Sequence, residues 1–384
     1  MKDYLTPCRV TLETVGPVFI GNGKEYNKKE YISRGADSIA IVDPEKLYQV
    51  LKNCGKDQAF EDYLLDSSDR RELGKWLIDA KINMKMVTPT IRYQLAKSDV
   101  QVEKGKNMNV LSCIKDPYGL PYVPGSSLKG MLRTILLADE ILKSDYTEER
   151  DQMEKSLRAA KSGRNVLQRE IDRIESGYFR TLNLNENSPS DSVNDWMSGI
   201  IVSDSAPLST NDLVLCQKLD HHVNQRPLNT GKALPILREC IKPRTRITFS
   251  LTINRQRSRV NAEQIQEAVQ KFSEEYSKRF VRKFWEKAPI QQNHVFLGGG
   301  TGFLTKTVLY ELFEGESAVR MAVEIFKKTR IPEAHHHSQD NELGIAPHMW
   351  KLTKYRGNVY QMGECVFRIE DLTKAKEEAD VGNA

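Results

Sequence analysis

Between residues 9 and 15 the chain alternates, Arg-Val-Thr-Leu-Glu-Thr-Val, placing Val10, Leu12 and Thr14 on one face. That period of two predicts a half-buried strand. A glycine-punctuated loop at 16–23, with Gly21 and Gly23, ends it, and the apolar run at 39–42 predicts a second short strand. Residues 44–85 read as mostly helical, with polar breaks near Gly55 and Ser67. Residues 86–121 carry Lys97, Lys104 and Lys106 among scattered Asn, Gly and Pro, and are expected to form an irregular, mobile arm. The clearest helix start follows Pro124. Leu128, Met131, Leu132, Ile135 and Leu136 recur at helical spacing and predict a serine-capped helix over 127–142. The charged stretch 146–176 predicts an exposed helical hairpin broken near Gly163, and 183–195 a polar loop.

The second half is richer in strands. Apolar runs predict strands at 200–204, 213–219 and 236–241, with a polar excursion at 220–236, and Ile247, Phe249, Leu251 and Ile253 alternate in a strand at 245–253. Asn261 and Gln264 form a capping pair for a helix over 261–287, whose Phe and Tyr stripe is core. A strand at 294–297 runs into Gly298-Gly299-Gly300-Thr301-Gly302-Phe303, then a helix from Thr305, and 362–369 is a last strand. Strand 9–15, helix 127–142, strands 200–204 and 245–253, helix 261–287 and strand 294–297 give the order of a ferredoxin-like (RRM-like) α+β sandwich. One sheet face would pack on the helices and the other stay open to a ligand. The core would then be 1–43 plus 107–304, with a helical insertion at 146–195. Residues 44–106 would be a second helical insertion with the arm, and 305–384 a C-terminal α/β region.

The 384 residues suggest two or three domains, or one with large insertions. No uninterrupted apolar run exceeds four residues, so no spanning helix is written here, and the first residues lack the apolar centre of an export signal. A cytoplasmic location follows as an expectation. The six cysteines form no CxxC pair, which points to reduced thiols. The net charge is only +5, but it is segregated. Lys218, Arg226, Lys232, Arg238, Lys242, Arg244, Arg246, Arg255, Arg257 and Arg259 face only Asp220 and Glu239 across 216–259, a net +8. Such a block predicts a polyanionic partner.

Candidate chemistry is anion binding. Gly125, Ser126 and Ser127 present main-chain amides at a helix N-terminus. Lys129 and Arg133 lie one turn apart beside them, where cations are otherwise disfavoured. The glycines of 298–302 allow backbone to approach a phosphate, with Thr301 and Lys306 beside them and Phe303 placed to stack on a base. Neither segment is a P-loop. His335, His336 and His337 lie in a polar stretch without metal-ligand spacing and read as a solvated loop. No metal or cofactor is expected.

The segments 16–23, 122–133 and 298–303, together with Val202-Ser203-Asp204-Ser205 and Arg238-Glu239-Cys240-Ile241-Lys242-Pro243, resemble the RAMP superfamily of CRISPR-associated proteins. Their order, with Lys351-Leu352-Thr353-Lys354 and Met362-Gly363-Glu364-Cys365 near the end, is most similar to the type III-A family whose members cap the effector complex at the 3′ part of the guide RNA. The resemblance implies a non-catalytic CRISPR RNA (crRNA)-binding subunit of an antiviral ribonucleoprotein complex. It implies guide RNA, target RNA and neighbouring backbone and small subunits as partners. Guide phosphates would lie on Gly125–Lys129, Arg133 and 298–302, and the excursion 220–236, with His221, Arg226 and Lys232, would form an intruding thumb. Two alternatives stay open: an endoribonuclease acting on guide precursor through His221 or His222, and an interaction subunit recruiting a host nuclease.

Overall fold

A computed structural model describes residues 4–101, 108–163 and 165–373; Lys104 and Lys106 of the expected arm lie outside them. In chain order the strands begin with β1 (Leu5–Thr14), β2 (Gly21–Tyr26), β3 (Tyr31–Arg34) and β4 (Ser38–Val42). Helices α1 (Pro44–Asn53), α2 (Asp57–Leu65) and α3 (Leu73–Asp79) follow, then β5 (Ile91–Lys97), β6 (Val110–Cys113) and helix α4 (Gly125–Ile141). Helices α5 (Thr147–Ala159) and α6 (Gln168–Phe179) lead to β7 (Ile200–Val202), β8 (Leu213–His222), β9 (Lys232–Ile241) and β10 (Arg246–Asn254). Helix α7 (Ala262–Tyr276), β11 (His294–Phe296), helix α8 (Gly315–Lys328), β12 (Met349–Tyr355), β13 (Asn358–Gln361) and β14 (Glu364–Asp371) complete the fold.

The first sheet has the order β11-β14-β1-β10-β7 and is antiparallel throughout. Val10 and Leu12 of β1, the alternating Ile247, Phe249, Leu251 and Ile253 of β10, and Phe367 of β14 are all buried. Helices α4 and α7 pack on each other and on this sheet. Leu128, Leu132, Ile135 and Leu136 of α4 are nearly fully buried, each contributing roughly 1.5–3 kcal/mol of burial. Arg9, Glu13 and Ser250 alternate with these positions and stay exposed. This is the ferredoxin-like α+β arrangement, with one correction. The strand beside β1 is β14, not the expected 294–297, which becomes β11 at the sheet edge. An eight-residue strand satisfies far more of β1's backbone donors and acceptors than a three-residue one.

The second sheet runs β2-β6-β9-β8-β5-β4-β3, with β12 pairing with the far half of β8 and β13 with β12. Helices α1, α2 and α3 bury a smaller core that includes Leu47, Leu51, Tyr63 and Trp76. The arm expected at 86–121 instead contributes β5 and β6, and the excursion at 220–236 is the far end of the β8–β9 hairpin. No helix begins at Thr305; a single turn at Leu309–Leu312 precedes α8. Glu239, wholly buried on β9, is held by Lys115 Nζ at 2.6 Å, Tyr93 Oη at 2.5 Å and the Cys113 amide at 2.8 Å. The sheets meet at the Val18–Ile241 bridge and at the Val15 amide, which donates to the Glu364 carbonyl at 2.8 Å.

Candidate nucleic-acid interface

Strand alternation along β8 turns Lys218, Asp220 and His222 to one face, while Leu219 and His221 are buried. Lys351 on β12 lies opposite Asp220, and its Nζ reaches Oδ1 at 2.9 Å; Lys218 Nζ lies 3.6 Å from the same oxygen. Arg238 on β9 completes a group of three cations around one carboxylate. Its guanidinium sits 5.5 Å from the centre of the Phe19 ring. Nε and Nη1 are buried, and among the described residues they have no hydrogen-bond partner. Burial draws the Arg238 pKa down, with Cys240 and Asp220 opposing. Burial, then repulsion from Lys351, draws Lys218 down as well. A desolvated cation without an acceptor costs stability and favours an incoming anion.

The glycine loop is built against this cluster. Gly298, Gly300 and Gly302 have φ of +81°, +87° and +97°, which side chains larger than glycine's rarely adopt. A Cβ on Gly298 would stand 2.2 Å from the Phe19 carbonyl, and the Gly299 amide donates to that carbonyl at 2.7 Å. A Cβ on Gly300 would lie 3.6 Å from the Arg238 guanidinium carbon, and one on Gly302 would lie 3.0 Å from Lys351 Cγ. Gly21 covers the edge of the Phe19 ring. Thus Gly21, Gly298, Gly299 and Arg238 converge on Phe19, and Gly300 adjoins Arg238. Ser126 and Ser127 of α4 join the same loop from the other side. With Gly298, Lys306, Thr134 and Phe296 they line a cavity of about 290 Å³.

Other expected residues are otherwise engaged. The Gly125 amide donates to Asp204 Oδ1 at 2.8 Å, and no serine caps α4; a Cβ on Gly125 would stand 2.4 Å from the Ser203 carbonyl. Arg133 is paired with Asp195 at 2.7 Å and Glu175 at 3.3 Å and lies 3.7 Å over the Phe179 ring, so its charge is spent inside the chain. Lys129 is half-buried, and desolvation lowers its pKa, with Asp195 opposing. His221 is fully buried, both ring nitrogens without hydrogen-bond partners among the described residues, and faces the core rather than RNA or solvent. Arg226 donates to the Val223 and Gln225 carbonyls, each at 2.7 Å. Lys232 is exposed at the start of β9, and Gly23 is exposed with open space around it. Phe303 packs edge-on against Phe326 at 5.2 Å, not as a free stacking platform. Thr301 is buried, its hydroxyl 2.8 Å from that of Thr305, and Lys306 Nζ donates to the Gly298 carbonyl at 2.8 Å. Phe19 and Lys351 are not among the expected RNA contacts, and Lys218 is expected only as one member of the basic block at 216–259. The alternation of 217–222 is the available signal for the facing of Lys218; Lys351 arrives through strand pairing that no local pattern encodes.

A RAMP superfamily family model matches residues 11–304. The protein named CRISPR system Cms protein Csm5 from Mycobacterium tuberculosis (strain CDC 1551 / Oshkosh) is 28% identical over 393 residues, covering 96% of this chain and 99% of that protein. The protein of the same name from Streptococcus thermophilus is 25% identical, covering 97% of this chain and 100% of that protein. In fold, the chain is similar to one in a cryo-EM structure of a Csm-crRNA-target RNA ternary complex of a type III-A CRISPR-Cas system. The TM-score is 0.61 at 19% identity, over 94% of this chain and 100% of that one. The motifs at 16–23, 122–133 and 298–303 all fall within the matched span, and the chain belongs to the RAMP superfamily.

Proposed function

We propose that the chain is a non-catalytic, RNA-binding subunit of a cytoplasmic type III-A CRISPR interference complex, seated at the 3′ side of the guide RNA. Its partners are guide RNA, target RNA and the neighbouring backbone and small subunits. The observation that carries this reading is the half-buried Arg238 guanidinium, whose Nε and Nη1 have no hydrogen-bond partner among the described residues, beside the positive-φ glycines of 298–302. A guide phosphate supplies the acceptor that Nε and Nη1 lack, a charge-assisted contact stronger than a neutral hydrogen bond. Lys218 and Lys351 add charge on one flank, and Ser126, Ser127 and Lys306 border the other. Likeness to Csm5 over nearly the full length supports the assignment to this complex. The burial of His221 speaks against its acting as a general base.

The test is photocrosslinking of the assembled particle to guide RNA, with peptide mapping. Crosslinks are expected in the segments holding Arg238, 298–306 and Lys351. Crosslinks confined to 146–195 would contradict the reading and favour a role in recruiting other proteins.

A further inference from the structure

The polar stretch after α8 is expected to be a solvated loop. His335 and His336 are indeed exposed, but His337 turns inward. Asp340, three residues on, is fully buried, and a different imidazole meets each of its oxygens. His337 Nδ1 lies 2.8 Å from Oδ2, and His348 Nδ1 makes a short hydrogen bond to Oδ1. His348 is itself only 1% exposed. One donor atom from each of the three residues falls within 4.8 Å of the others. The His335 ring lies parallel to that of His337, with 5.9 Å between centres, and the His222 ring packs on His348 at 4.8 Å.

A buried carboxylate is paired with a cation or coordinates a metal. Each imidazole meets one oxygen of Asp340, and the three donor atoms lie close enough together to share one ion. A divalent ion held by them would offset the buried carboxylate's charge. Two imidazoles and a carboxylate are a donor set suited to zinc. We infer that His337, Asp340 and His348 form a binding site for a divalent transition metal, zinc by donor type, with exposed His335 or water completing the coordination. The ion would act as a structural clasp. His337 packs on Phe326 of α8 at 4.6 Å, and His348 adjoins β12. The clasp would therefore fix the segment between α8 and β12, the strand that carries Lys351. The inference stands without the proposed function, because its readout needs no RNA.

The experiment uses the full chain, stripped of metal with a chelator and titrated with Zn²⁺ alone and, as a spectroscopic probe, with Co²⁺ alone. One equivalent per chain is expected, with the visible absorption of four-coordinate Co²⁺ and a higher melting midpoint on Zn²⁺ addition. Asp340→Asn and His348→Gln should abolish binding. Because both positions are buried, His337→Ala at a half-buried site is the second variant. It should keep the wild-type circular dichroism spectrum and lose affinity beyond the roughly 10–100-fold typical of removing an outer partner. Absence of stoichiometric Zn²⁺ and Co²⁺ binding, or unchanged affinity in folded His337→Ala, would overturn the assignment.

Discussion

The Gly125 amide donates to Asp204 Oδ1 at 2.8 Å, so a residue just beyond β7 caps the helix that carries the most family-like motif of the chain. The carboxylate occupies the position an anion would take at this helix end. Asp204→Ala is expected to cost about 1 kcal/mol of stability, the usual penalty for losing an N-cap, and to lower the melting midpoint. RNA affinity should not fall, because Asp204 repels phosphate rather than binding it. A weaker RNA complex at unchanged stability would contradict this.

Gly298 and Gly23 separate backbone strain from steric clash. Both have positive φ, at +81° and +80°, but Gly23 faces open space whereas a Cβ on Gly298 would strike the Phe19 carbonyl. Gly23→Ala should cost about 1 kcal/mol, from the left-handed backbone alone. Gly298→Ala should cost at least about 2 kcal/mol more, through displacement of the 298–302 loop from Phe19. Urea unfolding midpoints of the two variants test the difference.

Glu311 gives a pH dependence. Burial raises its pKa to about 7, with Arg279 opposing, and its Oε2 has no hydrogen-bond partner among the described residues. An unfolded glutamate titrates near about 4.3. Between those values the folded chain holds a proton that the unfolded chain releases. This group's contribution therefore falls as pH rises from about 4.3 to about 7 and is flat above. Glu311→Gln should remove that slope and leave the chain more stable than wild type at pH 8, as measured by denaturant unfolding across pH.

Local pattern made much of the core legible. The stripe of α4, the capping pair before α7 and the alternation of β10 each lie within one element, and each is found where periodicity places it. What the sequence hid depends on distant partners. No local pattern says which of β14 and β11 adjoins β1; β14 pairs with β1 from Cys8 to Thr14, and β11 pairs with β14. The Ile91–Lys97 strand was concealed by polar neighbours, although Ile91, Tyr93 and Leu95 alternate. The same holds for the site. The positive-φ glycines announced a tight loop, but Arg133 looked free only because its partners, Asp195 and Glu175, are 62 and 42 residues away in sequence. Lys351 became part of the cation group through pairing of β12 with β8. His337, Asp340 and His348 match no metal motif, because His348 meets Asp340 from eight residues away in sequence, at no recognised ligand spacing.

The central claim, that a guide phosphate rests on Arg238 beside Gly300, is tested most directly with Arg238→Met. Free chain and variant are compared in thermal melting and in guide RNA binding across salt. Buried Nε and Nη1 without an acceptor are a burden to the free chain, so the variant should be at least as stable as wild type. Its RNA affinity should drop roughly tenfold at low salt. The slope of log affinity against log salt should become shallower by about 0.7, the loss of one phosphate contact to a single strand. An Arg238→Met chain that binds guide RNA with unchanged affinity and unchanged salt slope would contradict the account.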